Sequence, residues 1–250
     1  MEFFDAHTHL DMRHYRHDRD RVVKRAKEAG LIGMVTCSIG TGSFRRTLGL
    51  LKKYSGFVYH SPGTQVSRLT RDEANSIIDM TKKYADDIVA VGEVGLDYHW
   101  VKDENKRELQ KELFLDFIDL AKELDLPLVI HSREAEADAT DILEDHFDGE
   151  VLMHCFEGSP EVARRVRDNG WYITLPANFD KYHKRRKAAE IMTVDQIMLE
   201  TDGPYLSPTD DRNEPANIRI GCEKLANHLD MSEKDVAEST TRNATDFYRL

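Results

Sequence analysis

The sequence predicts an α/β protein of the TIM-barrel type, with seven or eight parallel strands and an active site at their C-terminal ends. Short apolar runs rich in β-branched residues recur along the chain, and longer amphipathic segments separate them. The length of 250 residues suits a single barrel domain spanning residues 1–250. A doubly wound open sheet is the alternative. A dinucleotide-binding sheet of that kind carries a GxGxxG turn after its first strand, where this chain reads DAHTHLDM.

The predicted strands are short and continuously apolar, which is typical of parallel strands buried on both faces. Runs such as IVAVG, LPLVI and EVLM illustrate the pattern. The predicted strands cover residues 2–9, 33–39, 56–60, 88–93, 127–131, 150–154, 171–175 and 196–200. The carboxyl ends of barrel strands meet at one mouth, so polar residues that follow these runs are expected to lie together.

Three of the intervening segments carry clear helix signals. Segment 19–30 (RDRVVKRAKEAG) ends at a glycine, a common helix stop. Segment 108–126 repeats Leu and Phe at spacings of three and four residues and stops before Pro127. Segment 159–170 begins with Ser-Pro and ends at Gly170. Helices at these positions would connect successive parallel strands.

The charge and the cysteine content of the chain indicate its cellular compartment and the kinds of partner that it can bind. The chain has 35 Lys and Arg against 46 Asp and Glu, a net charge of −11, which argues against a general nucleic-acid coat protein. No apolar run is long enough for a membrane helix, and the acidic start MEFFDAHTHL does not resemble a signal peptide. Three scattered cysteines form no CxxC pair. We therefore expect a cytoplasmic protein without a membrane partner, in which Cys37 and Cys155 pack as small apolar side chains.

Residues of metal-ligating type follow five of the predicted strands. They are His7, His9, Glu93, His131, His154 and Asp202. Because side chains alternate along a strand, Asp5, His7 and His9 are expected to point to the same side. Asp5 is predicted to orient a neighbouring ligand, the alternative being a buried polar pair. Asp97 is expected to shape the mouth or to cap the next helix.

These residue types indicate a two-metal hydrolytic centre. Imidazole and carboxylate ligands suit Zn²⁺ and Mn²⁺, and carboxylates with water suit Mg²⁺. A carboxylate on a middle strand, such as Glu93, can bridge two cations ~3.5–4 Å apart. Asp202 would lie beside the attacking water, either as its proton acceptor or as a metal ligand alone. The predicted cofactor is therefore two divalent cations per chain, namely Mg²⁺, Mn²⁺ or Zn²⁺.

Seven motifs in order resemble those of the TatD-type metal-dependent nucleases, a family within the amidohydrolase-like barrels. The motifs are DAHTHL (5–10), GEVGLDYH (92–99), VIHSRE (129–134), HCFEGS (154–159), ETDGPYL (200–206), RNEP (212–215) and TTRNATDF (240–247). The resemblance covers nearly the whole chain and implies a TIM barrel that hydrolyses phosphodiester bonds, often as a DNase. One departure follows the third strand, where the family's Gly-x-His-Pro-His-like turn is replaced by YHSPGTQV.

The resemblance also implies a role for each candidate ligand. It assigns His7 and His9 to the first metal, Glu93 to both metals, His131 and His154 to the second metal, and Asp202 to the first metal and the bridging hydroxide. Arg133 is implied as a phosphate contact. The cationic run KYHKRRK (181–187) follows the seventh predicted strand on the same face. Its residues Lys184, Arg185 and Arg186 are predicted to bind substrate phosphates, the alternative being a solvated helix face.

The predicted function is binuclear, metal-dependent hydrolysis of phosphodiesters, with DNA as the expected substrate. One alternative is an amidohydrolase or esterase acting on a small molecule or an aminoacyl ester. Amidohydrolases often bridge their metals through a carboxylated lysine on the fourth strand, and VAVGEVG contains no lysine. A second alternative is a non-catalytic adaptor that retains metal, against which the complete ligand set argues.

Overall fold

Eight parallel strands form the centre of the protein, whose computed structural model describes all 250 residues. They are β1 (Phe3–Thr8), β2 (Leu31–Ile39), β3 (Val58–Gly63), β4 (Val91–Asp97), β5 (Leu128–Arg133), β6 (Val151–Met153), β7 (Tyr172–Pro176) and β8 (Ile197–Glu200). Every one overlaps a strand predicted from the apolar runs. The largest difference is at β4, which continues to Asp97 instead of ending at Glu93.

Hydrogen bonds connect the strands into a ring. Parallel pairing runs from β1 to β3 and from β4 to β8. At the first junction between these groups, the backbone N–H of Thr64 donates to the carbonyl of Glu93 at 2.9 Å. At the second junction, the N–H of Asp202 donates to the carbonyl of His7 at 3.0 Å. The fold is therefore a TIM barrel, as predicted, and the open-sheet alternative is wrong.

Helices cover the outside of the ring. They are α1 (Arg19–Glu28), α2 (Thr41–Lys53), α3 (Arg71–Lys83), α4 (Glu104–Leu124), α5 (Glu136–His146), α6 (Pro160–Asp168), α7 (His183–Ile191), α8 (Ile218–Leu229) and α9 (Glu233–Phe247). The three helices predicted from sequence signals correspond to α1, α4 and α6. Ser159 caps α6 by accepting a hydrogen bond from the N–H of Val162, as the Ser-Pro start indicates. None of these helices combines the length and the apolar composition needed to cross a membrane.

A small apolar cluster fills the inside of the barrel beneath the mouth. It contains Val129 of β5, Leu152 of β6 and Met198 of β8, together with residues of β1 and β2 from the opposite side of the ring. Side chains from opposite strands meet only across the interior of a barrel. Two positions further along the same strands come His131, His154 and Glu200. The interior face of the barrel therefore changes from apolar to polar at the carboxyl ends of the strands.

Candidate metal centre

The six predicted ligands lie together at the carboxyl end of the barrel. His7 and His131 lie near the ends of β1 and β5, and Glu93 lies within β4. His9 and His154 directly follow β1 and β6, and Asp202 is the second residue after β8. Three of the six residues, His7, His9 and Asp202, form a first group. Oδ1 of Asp202 is 3.2 Å from Nε2 of His9 and 3.6 Å from Nε2 of His7. Both histidines are buried. Asp202 has a left-handed backbone with φ of 52°, a conformation that aspartate adopts more readily than most residues.

Glu93 lies between this first group and a second pair of histidines. Its Oε2 is 2.9 Å from Nε2 of His154 and 3.4 Å from Nδ1 of His131. Its Oε1 is 3.7 Å from Nε2 of His9, and Oε2 is 4.0 Å from Nε2 of His7. One carboxylate therefore faces all four imidazoles, which is the arrangement expected of a bridging ligand.

Two of the imidazoles are hydrogen-bonded to Cys37 of β2. Nδ1 of His9 donates to the Cys37 carbonyl at 2.8 Å, and Nδ1 of His7 lies 3.1 Å from its Sγ. Cys37 is buried and belongs to the interior apolar cluster, as its predicted packing role requires. The prediction of packing alone was incomplete, because Cys37 also contacts Nδ1 of both imidazole rings.

The other two imidazoles are hydrogen-bonded to carboxylates. Nε2 of His131 donates to Oδ2 of Asp97 at 2.9 Å, and Nδ1 of His154 donates to Oε2 of Glu200 at 3.2 Å. Asp97 also accepts the N–H of Trp100, so it supports the loop after β4 as well. Glu200 was missed by the sequence analysis. Its signal was present, because it is a carboxylate at the end of the strand predicted over 196–200, where polar side chains are expected at the mouth.

Asp5 does not contact the side chain of any ligand. Its carboxylate accepts the hydroxyl of Thr201 at 2.5 Å and the backbone N–H of Thr201 at 2.9 Å. The backbone N–H of His7 lies 3.4 Å from the same carboxylate. The pairing of β1 with β2 has a register irregularity between Asp5 and Thr8. Asp5 therefore accepts hydrogen bonds from the backbone N–H of His7 and from that of Thr201, the residue before Asp202.

Burial and neighbouring charges shift the pKa values of ionisable groups in the centre. Burial disfavours the charge of Glu93, but His154 and His131 outweigh this effect and hold its pKa well below the usual value. Burial and the neighbouring His154 together lower the pKa of His7 well below its ordinary value. His7 is therefore neutral, the form in which imidazole binds a metal.

The donor set fits divalent cations. Nε2 of His7 is buried and has no hydrogen-bond partner, although carboxylate oxygens surround it at 3.6 and 4.0 Å. Buried polar atoms without a partner are rare in folded proteins, and a cation between this nitrogen and the carboxylates would satisfy it. Four imidazole nitrogens and two carboxylates also form a ligand set suited to Zn²⁺ or Mn²⁺.

A cavity of about 380 Å³ opens beside the ligands. His131, His154 and Asp202 form part of its wall, and among the other lining residues are Arg133, Cys155, Tyr182, Lys184 and Arg185. Cys155, expected to pack as an apolar residue, instead lines this cavity with its Sγ 3.3 Å from Nη2 of Arg185. The cavity thus places the candidate metal ligands beside three cationic side chains, and Glu134, Glu136 and Glu157 also line it.

The structure brings three of the four predicted phosphate contacts to this cavity. Arg133 and Lys184 are exposed along its wall. Arg185 is buried and bonded to Oε2 of Glu157 at 3.1 Å. Arg186 does not line the cavity, and its guanidinium donates to the backbone carbonyl of Asp180. Successive helical residues are turned by about 100°, which directs neighbouring cations of α7 to different sides.

Comparison with known proteins identifies the family of the chain. A family model described as TatD related DNase matches residues 4–249. The metal-dependent hydrolase YabD of Bacillus subtilis is 32% identical over 257 residues, covering 99% of each chain. Deoxyribonuclease TATDN3 of Homo sapiens is 32% identical over 252 residues, covering 96% of this chain and 92% of its own.

The fold also matches solved structures. The TatD homologue YJJV of Escherichia coli K12 superimposes with a TM-score of 0.88 at 24% identity, covering 99% of this chain and 98% of its own. A TatD family hydrolase from Entamoeba histolytica gives a TM-score of 0.87 at 21% identity, with coverage of 98% and 97%. At these identities the likeness supports the barrel fold. Together with the family match along nearly the whole sequence, it shows that this chain belongs to the TatD family of metal-dependent hydrolases.

Proposed function

We propose that this protein hydrolyses phosphodiester bonds in DNA with two bound divalent cations. The observation that carries the proposal is the position of Glu93, whose two oxygens face all four imidazoles of the candidate centre. The name of the human relative, a deoxyribonuclease, supports DNA as the substrate. The cationic residues along the adjoining cavity support an anionic substrate.

The residues divide into two ligand sets that share one carboxylate. His7, His9 and Asp202 would hold one cation, His131 and His154 would hold the other, and Glu93 would contact both. Bound cations of this kind lower the pKa of water and withdraw charge from phosphoryl oxygens. The protein contributes fixed ligand positions, since each imidazole is hydrogen-bonded on its far side.

Asp202 is proposed to accept the proton of the attacking water. Its carboxylate lies next to His7 and His9 and also lines the cavity, so it can contact both a ligand set and the substrate. A general base must lie within hydrogen-bond reach of the proton that it removes. Among the carboxylates of the two ligand sets, Asp202 lines the cavity wall, whereas Glu93 faces the four imidazoles.

Lys184, Arg133 and Arg185 are proposed to bind the flanking phosphates. Lys184 and Arg133 are exposed along the cavity wall, where they can follow a flexible strand. Arg185 is held in place by Glu157, by Asn178 and by the face of Tyr182, whose centroid is 4.3 Å away. A guanidinium fixed in this way presents its charge to the cavity with little loss of side-chain entropy on binding.

The proposal is tested by assaying chelator-treated protein, reloaded with Mn²⁺ or Zn²⁺, on four substrates. These are end-labelled single-stranded DNA, duplex DNA, RNA and bis-(p-nitrophenyl) phosphate, with p-nitrophenyl acetate as an ester control. We expect metal-dependent cleavage of DNA and of the phosphodiester. Turnover of the carboxylic ester alone would contradict the proposal and favour the esterase alternative.

Two substitutions distinguish turnover by the candidate centre from turnover by a contaminating nuclease. Asp202→Asn should abolish most of the turnover of DNA and of the small phosphodiester. Asp210→Asn removes the same charge from an exposed position in the loop that follows β8, and should leave turnover unchanged. Equal activity of both variants would show that Asp202 takes no part in the reaction.

A further inference from the structure

Positive charge is concentrated in one stretch of this acidic chain. Residues 12–53 carry 11 Lys and Arg against 3 Asp and Glu, a net charge of +8, whereas the whole chain has a net charge of −11. This basic stretch consists of the segment after β1, followed by α1, β2 and α2. In α2 there are four basic residues and no acidic residue. Charge segregated in this way is typical of a surface that binds a polyanion.

The three acidic residues of the basic stretch are already paired. Asp18 accepts hydrogen bonds from Nη1 and Nη2 of Arg212 at 3.0 and 2.8 Å. Asp20 forms an ion pair with Nζ of Lys53 at 2.5 Å, and Glu28 forms one with a lysine of its own helix. Most of the basic residues in the stretch therefore have no acidic partner within it.

Several exposed cations of the basic stretch lack a carboxylate oxygen within 4.0 Å. Among these are Arg13, Arg16 and Arg21 of the first part of the stretch, and Arg45 and Lys52 of α2. We call these five residues the cationic face. A cation without an acidic partner can bind a phosphate without first giving up an ion pair, and each such contact releases counterions from a nucleic acid.

Two grooves lie between the segment after β1 and α2. The inner groove, of about 390 Å³, is lined by Arg13 and His14 on one side and by the start of α2 on the other. The outer groove, of about 370 Å³, is lined by residues 16–21 and by the last turn of α2. Arg13 of the cationic face therefore lines the inner groove, and Arg16 and Arg21 line the outer one.

The two carboxylates of the inner groove are engaged within the protein. Asp11 accepts a hydrogen bond from Nη2 of Arg46 at 2.8 Å. Glu73 accepts the backbone N–H of Thr41, also at 2.8 Å. Their charges are therefore partly compensated, whereas Arg13 in the same groove has no such partner.

The inner groove begins beside the candidate metal centre. The exposed ring of Tyr205 has its centroid 6.5 Å from that of His9 and 5.9 Å from that of His14. The backbone of Tyr205 is held by its own N–H, which donates to the carbonyl of Asp202, and by its carbonyl, which accepts the side-chain amide of Asn213 at 2.6 Å. Neither Tyr205 nor His14 lines the cavity beside the centre. These two rings therefore connect the centre to a second surface.

We propose that the cationic face binds the phosphate backbone of a nucleic-acid strand that leaves the candidate centre over Tyr205 and follows the two grooves. The proposal rests on the proposed hydrolysis of DNA and adds a second contact with the substrate, apart from the cavity. Phosphates of successive nucleotides would contact the unpaired cations, and the ring of Tyr205 offers a surface on which one base can stack.

An anionic membrane is another polyanion that a basic surface can bind, but the exposed side chains favour nucleic acid. Helices that bind a lipid surface combine basic residues with large apolar ones. In residues 12–53 the one exposed large apolar side chain is Ile32, which belongs to β2 and to neither helix. Grooves lined by cations instead suit an extended strand.

The test measures binding of a fluorescent oligothymidylate, about 30 nucleotides long, to the chelator-treated full-length protein at several salt concentrations. Arg13→Ser together with Arg16→Ser should make the slope of log affinity against log salt shallower by about 1.4, from roughly 0.7 per phosphate contact. Arg45→Ser together with Lys52→Ser should have a similar effect. All four side chains are exposed, so circular dichroism should show the fold of the parent.

Lys106→Ser together with Arg164→Ser is the matched control. It removes the same charge from exposed cations of α4 and α6 that also have no carboxylate within 4.0 Å and that line neither groove nor the cavity. The slope should stay close to that of the parent. Tyr205→Ala should weaken binding about 5- to 100-fold at every salt concentration, and Tyr205→Phe should bind like the parent.

Other results would overturn the proposal. An unchanged slope in both variants of the cationic face would show that these residues do not contact phosphates. An equal change in the control would mean that net charge alone attracts the strand. Full affinity of Tyr205→Ala would exclude the path over this ring.

Sedimentation with phosphatidylserine vesicles and turnover by the metal-loaded parent complete the test. Binding to vesicles that is lost with Arg13→Ser and Arg16→Ser, without binding of the oligonucleotide, would assign the face to a membrane and overturn the proposal. A shallower slope in a protein without phosphodiester turnover would support the face and contradict the proposed function. Turnover with an unchanged slope would contradict the face alone.

Discussion

The carboxylate of Asp5 accepts both the hydroxyl and the backbone N–H of Thr201, a residue 196 positions later in the chain, at 2.5 and 2.9 Å. These bonds join the first strand to the segment that follows the last strand. Next to them, the N–H of Asp202 donates to the carbonyl of His7. The junction that closes the barrel therefore also sets the distance between two ligands of the candidate centre.

Asp5→Ala should destabilise the protein, because it leaves the buried N–H of Thr201 without an acceptor. We expect the free energy of unfolding to fall by about 1–3 kcal/mol. Asp5→Asn keeps an acceptor oxygen for this N–H and should lie closer to the parent. Chemical denaturation of the three proteins gives the comparison. If Asp5→Ala is as stable as the parent, these hydrogen bonds do not hold the junction.

Glu93→Gln should lose activity far more than stability. The amide keeps the shape of the side chain but removes the charge that would attract both cations. Turnover of the small phosphodiester should fall at least ~10²-fold, with fewer than two ions retained after gel filtration. Elemental analysis and kinetics on the same preparation measure both. A variant with full metal content and near-normal turnover would rule out a bridging role.

Some residues of the cationic run line the cavity and others do not. The salt dependence of DNA binding tests whether the two kinds contribute differently. Lys184→Ser together with Arg133→Ser should make the slope of log affinity against log salt shallower by about 1.4 on single-stranded DNA, from roughly 0.7 per phosphate contact. Arg186→Ser together with Lys181→Ser removes the same charge from residues that do not line the cavity, and it should change the slope less. Equal changes in both double variants would mean that net charge alone attracts DNA.

Turnover of bis-(p-nitrophenyl) phosphate separates binding from chemistry in this pair of variants. The substrate is too short to span the cavity and the surrounding surface, so its turnover should remain within a few-fold of the parent in both. A large loss confined to Lys184→Ser with Arg133→Ser would place these residues at the reacting phosphate instead.

Metal uptake should release protons and strengthen with rising pH. Burial opposes the charge of His9, but its hydrogen bond with Asp202 and the charge of Glu93 outweigh this and raise its pKa to about 9. In the metal-free protein His9 therefore carries an extra proton at neutral pH, and a metal must displace it. Affinity at this site should rise about tenfold per pH unit between about pH 6 and 9.

Calorimetry of Mn²⁺ binding in two buffers of different ionisation enthalpy, such as PIPES and Tris, measures the number of protons released. The apparent enthalpy should differ between the buffers by at least one ionisation at pH 7. His9→Gln should reduce this difference. Identical enthalpies in both buffers would show that His9 is already deprotonated before the metal binds.

Local periodicity predicted the strands of the barrel and the strand ends at which the candidate ligands lie. Strands such as β5 and β6 are buried on both faces, so their sequences are continuously apolar and stand out from the helices. His131 and His154 follow these runs directly, and the geometry of a parallel barrel requires strand ends to converge. The position of each candidate ligand therefore followed from its own strand, with no knowledge of its neighbours.

The partners of the ligands could not be found in the same way. Cys37 and His7 come from different strands, and Asp97 reaches His131 only because β4 continues four residues beyond Glu93. Such contacts depend on the register between strands and on side-chain direction, neither of which is written in a single segment. Glu200 is the exception, since it is a carboxylate at the end of a predicted strand.

The sequence by itself determined which residues form strands and which polar side chains stand at their ends, because both follow from the period of apolar burial. Only the tertiary structure decided which groups hydrogen-bond these side chains and which cationic side chains line the cavity. Register placed two carboxylates behind one pair of histidines and Cys37 behind the other. The rotation of α7 placed Lys184 on the cavity and Arg186 away from it, since helical phase is set by packing of the whole element against the barrel.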